Sequence, residues 1–449
     1  MSSDISLSGK FFALIFILGS LVLFSGCQPQ AVNNTSGPVA NSGSNINSNA
    51  NAAAPQPQGA GPSASTAPVT MPLLDAMLTD EAFVNEAKNT LQITDEEIYK
   101  LRNSARDAVL NLGQEDTADD MRSTRSSAEK AKAEVWKALG AEKGDRFIAL
   151  AQQRWSGGDA ALLNAKPNAV PTDTRIVVNA PAYRMDLFKD GQLVKSYKIG
   201  IGYPEFPLPT GLRKAETIIF NPTWTPPDEP WVKGKVQPGK KVEAGSKLNP
   251  LGPIKIPIGL PSLIHGGKSP DRLGTFASHG CVGLTSPMVQ DFALELSSLS
   301  GSPLTMEDVK GYEKNKTETK EVKIEAVPVE LRYETIVVED GRLKIYRDVY
   351  ERGTNTEENL RRVLETFDVS LDNLNAADRD KILEGLEKMA IDAQGKPVDP
   401  DNDENSNSSS NKDSKSGKVT RNIKGQKELV FELAELRGKG YPAPLMKNS

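Results

Sequence analysis

The spacer NAKPNAVPTD, residues 164–173, separates two incompatible hydrophobic rhythms. Before it, apolar residues recur at the spacing of a helix; after it they alternate every second residue, as on a strand with one buried face. One type of element cannot run across such a change, so the chain must fold as at least two layers of different kind. In TDEEIYKLRNSARDAVLNLG, Thr94 precedes Glu97 in capping-box order, and Ile98, Leu101, Ala105, Val109 and Leu112 repeat at helical spacing up to Gly113. Similar stretches near 81–91, 128–139 and 143–155 predict a helical bundle over residues 71–158, whose apolar stripes read as core.

Beyond the spacer, RIVVNAPAYRMDLFKDGQLVKSYKIGIG places Tyr183, Met185 and Leu187 on one side and turns at Asp190-Gly191. Pro- and Gly-rich connections then run to about Met306, and the lack of strand-helix alternation favours a sandwich or irregular barrel. The expected fold is therefore multidomain, with a mostly-β sandwich or irregular barrel core over residues 172–306, an N-terminal helical bundle and a C-terminal helical region. Residues 322–391 read as a β-hairpin extension, turning at Asp340-Gly341, followed by helices. Residues 392–449 read as a mostly disordered tail with one short helix over 426–436.

The first 70 residues are of another kind. Lys10 is followed by FFALIFILGSLVLF, a run shorter than a comfortable membrane span but suited to a signal peptide, and it ends at Cys27. LFSGC resembles the lipobox of bacterial lipoproteins, which implies a signal peptide over residues 1–27 and a lipid on Cys27. Residues 28–70, rich in Asn, Ser, Gly, Ala and Pro, predict a disordered tether that holds the folded part roughly 35 Å from its anchor.

Charge excludes one class of partner. With 54 basic and 59 acidic residues the net charge is −5 and no basic patch stands out, so nucleic acid is not expected. Cysteine and histidine point elsewhere: of two cysteines and two histidines, His265, His279 and Cys281 fall between residues 265 and 281. A structural zinc site needs a fourth ligand, for which Asp271 is nearest, and the usual paired spacing is missing, so no metal or other cofactor is expected. A thiol with a nearby base needs less. Histidine takes the proton of Cys281, and backbone N–H groups around Gly280 and Cys281 face a developing oxyanion.

IHGGKSPDRLGTFASHGCVGL resembles the signature of the L,D-transpeptidase (YkuD-like) catalytic domain, with His265-Gly266 followed by Ser278-His279-Gly280-Cys281. LPTG at 208–211, NPTW at 221–224 and NPLG at 249–252 resemble that family's connecting motifs in the same order. The resemblance implies a cell-wall enzyme in which His265, oriented by a carbonyl near Gly266, is the base for Cys281. The thiolate takes the acyl group of a peptidoglycan tetrapeptide stem, and an amine acceptor resolves the thioester. His279, Gly280, Ser278 and Gly266 support the loop and the oxyanion. Many members carry Arg or Asn where this chain has Gly283, and Lys268 or Arg272 is expected to supply the missing charge. Hydrolysis by the same Cys-His site, as an L,D-carboxypeptidase or endopeptidase, and a wall-binding lipoprotein with a decayed site are the alternatives. The implied address is the cell envelope, as a periplasmic lipoprotein. Gln28 lacks the aspartate of inner-membrane retention, so the outer membrane is expected in a diderm. A protein partner for the helical bundle is not readable.

Overall fold

The first described residues already show how the chain is built: each α-helix among the described residues except Ala141–Trp155, which follows Gly140, starts at a side chain that accepts from its free N–H groups. A computed structural model describes residues 67–113, 123–156, 166–227, 236–259, 261–391 and 425–446, with residues 232, 417 and 418; all lie in one unit, residues 60–449. The signal peptide, Cys27 and most of the tether lie outside the described residues. Among those described, no helix is long and apolar enough to cross a membrane.

Five helices form the N-terminal part: α1 (Met71–Met77), α2 (Glu81–Leu91), α3 (Asp95–Leu110), α4 (Thr124–Leu139) and α5 (Ala141–Trp155). Thr94 and Glu97 cap α3 reciprocally, the two-way bond that satisfies two orphan donors. Phe83, Ile98, Leu101, Val135, Phe147 and Trp155 fill the core between the helices. Hydrogen bonds among the described residues tie this bundle to the rest. Thr70 donates to the Glu205 carbonyl at 2.7 Å, and Arg213 donates to the Trp155 carbonyl at 2.5 Å. The Glu351 carboxylate accepts from the Thr124 and Arg125 N–H groups at 3.3 and 3.2 Å, an anion placed on the positive end of α4.

The centre is a curled, mostly-β core. Its strands are β1 (Arg175–Asn179), β2 (Arg184–Lys189), β3 (Gln192–Lys198), β4 (Ile201–Gly202), β5 (Gly211–Phe220), β6 (Ile254–Pro257), β7 (Leu263–His265), β8 (Phe276–Ser278), β9 (Val282–Gly283) and β10 (Lys320–Arg332). Eight of them form one mixed sheet in the order β9-β7-β6-β5-β10-β1-β2-β3, and β4 pairs with β8. The β2–β3 hairpin turns at Asp190 and Gly191, whose φ values of 49° and 79° suit the right-handed twist of the strands it joins. Helix α6 (Ser286–Leu299), capped by Thr285, buries Val289, Phe292, Ala293 and Leu296 in the same core as Ile254, Ile264 and Val282.

Two expectations need correction. The strand Lys320–Arg332 extends the same β-domain, as expected, but not as an arm of the Asp340-Gly341 hairpin; it lies in the middle of the sheet, antiparallel to β5 and parallel to β1. Only the hairpin β11 (Ile336–Glu339) and β12 (Arg342–Tyr346) stands apart, turning at Asp340-Gly341. The segment expected as a helix at 426–436 instead forms β13 (Glu428–Glu432), which pairs with β12, followed by a short 3-10 turn at Ala434–Leu436. Tertiary pairing overrides local preference there, because β12 offers a free edge. Helices α8 (Glu357–Glu365) and α9 (Ala376–Met389), which follow α7 (Met306–Lys314), pack against this small sheet.

The two sheets meet over buried charge. Arg184 pairs with Asp186 at 2.7 Å and with Glu339 of β11, while Lys344 also bonds Glu339. Asp186 accepts from Ser196 as well. Removing the Arg184 guanidinium leaves buried Asp186 with hydroxyl donors alone and Glu339 with Lys344 as its one remaining cation among the described residues. Arg184→Met is expected to lower stability by about 3–5 kcal/mol, measured by urea denaturation.

Candidate active site

Two short strands carry the candidate chemistry. β9 runs parallel to β7, with Val282 opposite Ile264 and Gly283 opposite His265. Paired residues share a face and successive ones alternate. Ile264 and Val282 point into the apolar core, so His265 and Leu263 face the other way, and the alternation carries Cys281 to that side. Cys281 is the bend residue immediately before β9, and His265 ends β7 opposite Gly283, two residues further on. They make no hydrogen bond to each other in this state; the ring Nδ1 lies 2.7 Å from the Gly266 carbonyl.

The turn that presents the thiol closes on itself. Ser278 Oγ accepts from the Cys281 N–H at 3.0 Å and donates to the Cys281 carbonyl at 2.5 Å. Between them Gly280 adopts φ of 86°, in the region open to glycine, and its carbonyl accepts from Ser262 Oγ at 3.0 Å. The expectation that the Cys281 N–H faces an oxyanion therefore fails in this state, since Ser278 holds it. The Gly280 N–H makes no hydrogen bond among the described residues, which leaves it as the available donor. His279 is wedged edge-on between Tyr203 and Phe206, ring centroids 4.9 and 4.7 Å away.

The imidazole is 3% exposed, so water contributes little to its charge. Because a carbonyl only accepts, Nδ1 carries the hydrogen in the neutral ring and Nε2 keeps its lone pair. Burial, with the nearby Lys268 charge, depresses its pKa to about 3, against the opposing pull of the Gly266 and Leu251 backbone. Burial raises the Cys281 thiol, opposed by a Leu263 backbone hydrogen bond and by Lys268. Burial also brings Lys268 down to about 8, while attraction to Cys281 favours its charged form. At neutral pH the pair rests as thiol and neutral imidazole.

Of the two cations expected to replace the side chain missing at 283, the structure separates the roles. Arg272 donates to the Phe276 carbonyl at 2.5 Å and lies 3.4 Å from the Tyr203 hydroxyl, so it braces its own loop. Lys268 lies over Gly283. The upstream motifs act as braces as well. Asn249 donates to the Pro222 carbonyl at 2.8 Å and accepts from the Leu251 N–H at 3.0 Å, fixing the segment whose carbonyl steadies His265. Sequence reasoning found NPLG but not this role for Leu251, nor the Leu263 contact, because main-chain groups leave no residue-type signal. Tyr350 was missed too. Its hydroxyl donates to the Gly202 carbonyl at 2.9 Å and accepts from the Leu208 N–H at 3.2 Å, holding the loop that carries Tyr203 and Phe206.

Comparison with known proteins gives one family. Residues 173–302 match the family model of the L,D-transpeptidase catalytic domain, YkuD. No curated protein matches the chain. Among solved structures, the Ldtfm–avibactam carbamoyl enzyme is 19% identical, with 36% of this chain and 49% of that one covered and a TM-score of 0.23. The catalytic domain of the E. faecium L,D-transpeptidase is 18% identical, covered over 36% of this chain and 100% of that one, with a TM-score of 0.23. An L,D-transpeptidase from Mycobacterium smegmatis is 15% identical, with 36% and 58% covered and a TM-score of 0.21. The chain spans about half the length of the first of these. The chain thus contains an L,D-transpeptidase catalytic domain of the YkuD family over residues 173–302, and that segment holds His265, Lys268, Arg272 and the turn from Ser278 to Cys281.

Proposed function

We propose that the protein is a cysteine-dependent peptidoglycan L,D-transpeptidase. The observation that carries this reading is the parallel pairing of β7 with β9, which sets His265 and Cys281 on one face beside a family match covering both. Neutral His265 is a base with one free nitrogen. As a donor stem binds, Nε2 takes the proton of Cys281 Sγ, and the carbonyls of Gly266 and Leu251 steady the cation that forms. The sulfur attacks the carbonyl carbon of the third stem residue, and the carbonyl electrons move onto its oxygen, for which the Gly280 N–H is the proposed donor. Collapse forms the thioester and breaks the C–N bond to the terminal D-alanine, whose amine leaves with the proton from His265. An amine of a second stem then attacks the thioester, loses its proton through His265 and restores the thiol. Ser278 and His279 act by holding the turn. Lipidation at Cys27 and a place on the periplasmic side of an outer membrane fit this substrate, and both belong to the same reading.

A resting pair without charge differs measurably from a thiolate–imidazolium pair. Alkylation of Cys281 by iodoacetamide is expected to rise through the alkaline range, since burial lifts the thiol above its ordinary value, with no plateau below pH 7. A fast acidic plateau would count against general-base activation. Incubation with a tetrapeptide stem is expected to give an acyl adduct by intact mass spectrometry that is absent in Cys281→Ala, and His265→Ala is expected to slow its formation by about 10²- to 10⁴-fold. Dimeric muropeptides as products support transfer; trimmed stems alone would assign water as the acceptor and overturn it.

A further inference from the structure

Position 283 is a glycine for reasons of space. Its φ is not among the positive ones, so any residue could adopt its backbone conformation. That backbone is fixed on both sides: the Gly283 N–H donates to the Gly200 carbonyl at 2.9 Å, the Gly200 N–H donates back at 2.9 Å, and His265 sits opposite on β7. A Cβ added there would come within 2.9 Å of Lys268 Cγ, 3.0 Å of its Cε and 3.4 Å of its Cδ. The lysine stem therefore lies along the very space that a side chain at 283 would fill. Its own backbone is held as well, with the Lys268 N–H donating to the Leu284 carbonyl at 3.0 Å and the Leu284 N–H to the His265 carbonyl at 2.8 Å. With both backbones hydrogen-bonded in place, the two side chains would compete for one space.

We propose that Lys268 is the positioning residue for the Cys281 sulfur, its ammonium led to the thiolate through the corridor that Gly283 leaves open. The ammonium and the sulfur attract each other, whereas the same charge opposes protonation of His265. One cation thus favours ionising the nucleophile and makes the imidazolium a stronger acid toward the leaving amine. Arg272 adds a repulsive charge to Lys268 while its own guanidinium is spent on the Phe276 carbonyl, so it does not take over this task.

This inference rests on the reading of Cys281 as a nucleophile, but its test needs no substrate. The rate of Cys281 alkylation by iodoacetamide is followed against pH in the folded protein. Lys268→Ala is expected to shift the profile below about pH 8, where the ammonium is still charged, slowing alkylation near neutrality about tenfold, and Lys268→Arg to restore most of it. Gly283→Ala, which pushes the stem aside, is expected to produce the same shift in the native background and none when Lys268 is already alanine. A profile unchanged by Lys268→Ala, or equal Gly283→Ala shifts in both backgrounds, would overturn the proposal. So would an unchanged profile with a raised KM for stem peptide, which would assign the ammonium to the substrate carboxylate. Absence of an acyl adduct with the alkylation shifts intact would instead sink the transpeptidase reading and leave the coupling standing.

Discussion

Everything chemical in this molecule depends on a ladder only two residues long. Val282 and Gly283 pair in parallel with Ile264 and His265, and the pleat then decides that two apolar side chains enter the core while the thiol and the imidazole emerge together on the other face. A slip of one residue would send Cys281 into the core. The surroundings guard against it. Gly283 is bonded back to Gly200, Leu284 to His265, and Thr285 begins a buried helix at once, so the short strand has fixed bonds at every residue.

Burial sets the electrostatics of that face. The ring is taken from water and the half-buried sulfur partly so; both favour their neutral forms, and the main chain supplies partial compensation: Gly266 and Leu251 for the ring, Leu263 for the sulfur. Backbone dipoles serve this purpose well because they are already oriented and need no reorganisation when charge appears. The turn from Ser278 to Cys281 follows the same economy, with one hydroxyl satisfying both the N–H and the carbonyl of the nucleophile.

Much of this was legible in the chain. The Asp-Gly pairs at 190–191 and 340–341 and the Thr94 capping box are local devices whose mechanism is written in a few adjacent residues, and the structure has them where the sequence puts them. The clustering of His265 with Ser278 to Cys281 was equally plain. The rest depended on distant partners. Nothing within Lys320–Arg332 says that its neighbours are strands a hundred or more residues upstream. Residues 428–432 contain enough Glu and Leu to read as helix, yet Leu429 and Phe431 pack inward while Val430 is 46% exposed, the alternation of an edge strand. Lys268 was legible as a candidate for the charge missing at 283, but not the path of its stem over Gly283, which follows from two backbones pinned at a fixed spacing.

The place of Lys320–Arg332 also orders the events by which the molecule comes into being. Until that strand arrives, Gly211–Phe220 on one side and Arg175–Asn179 on the other are open edges with unpaired N–H and carbonyl groups. A chain emerging from its N-terminus therefore carries two unsealed half-sheets, hazardous surfaces for sticking to neighbours, while the residues that will join them are still being made. Assembly must wait for contacts between remote parts of the sequence, a slow kind of search. Nascent molecules would then spend their most vulnerable interval with the sulfur and its base already synthesised but not yet brought face to face.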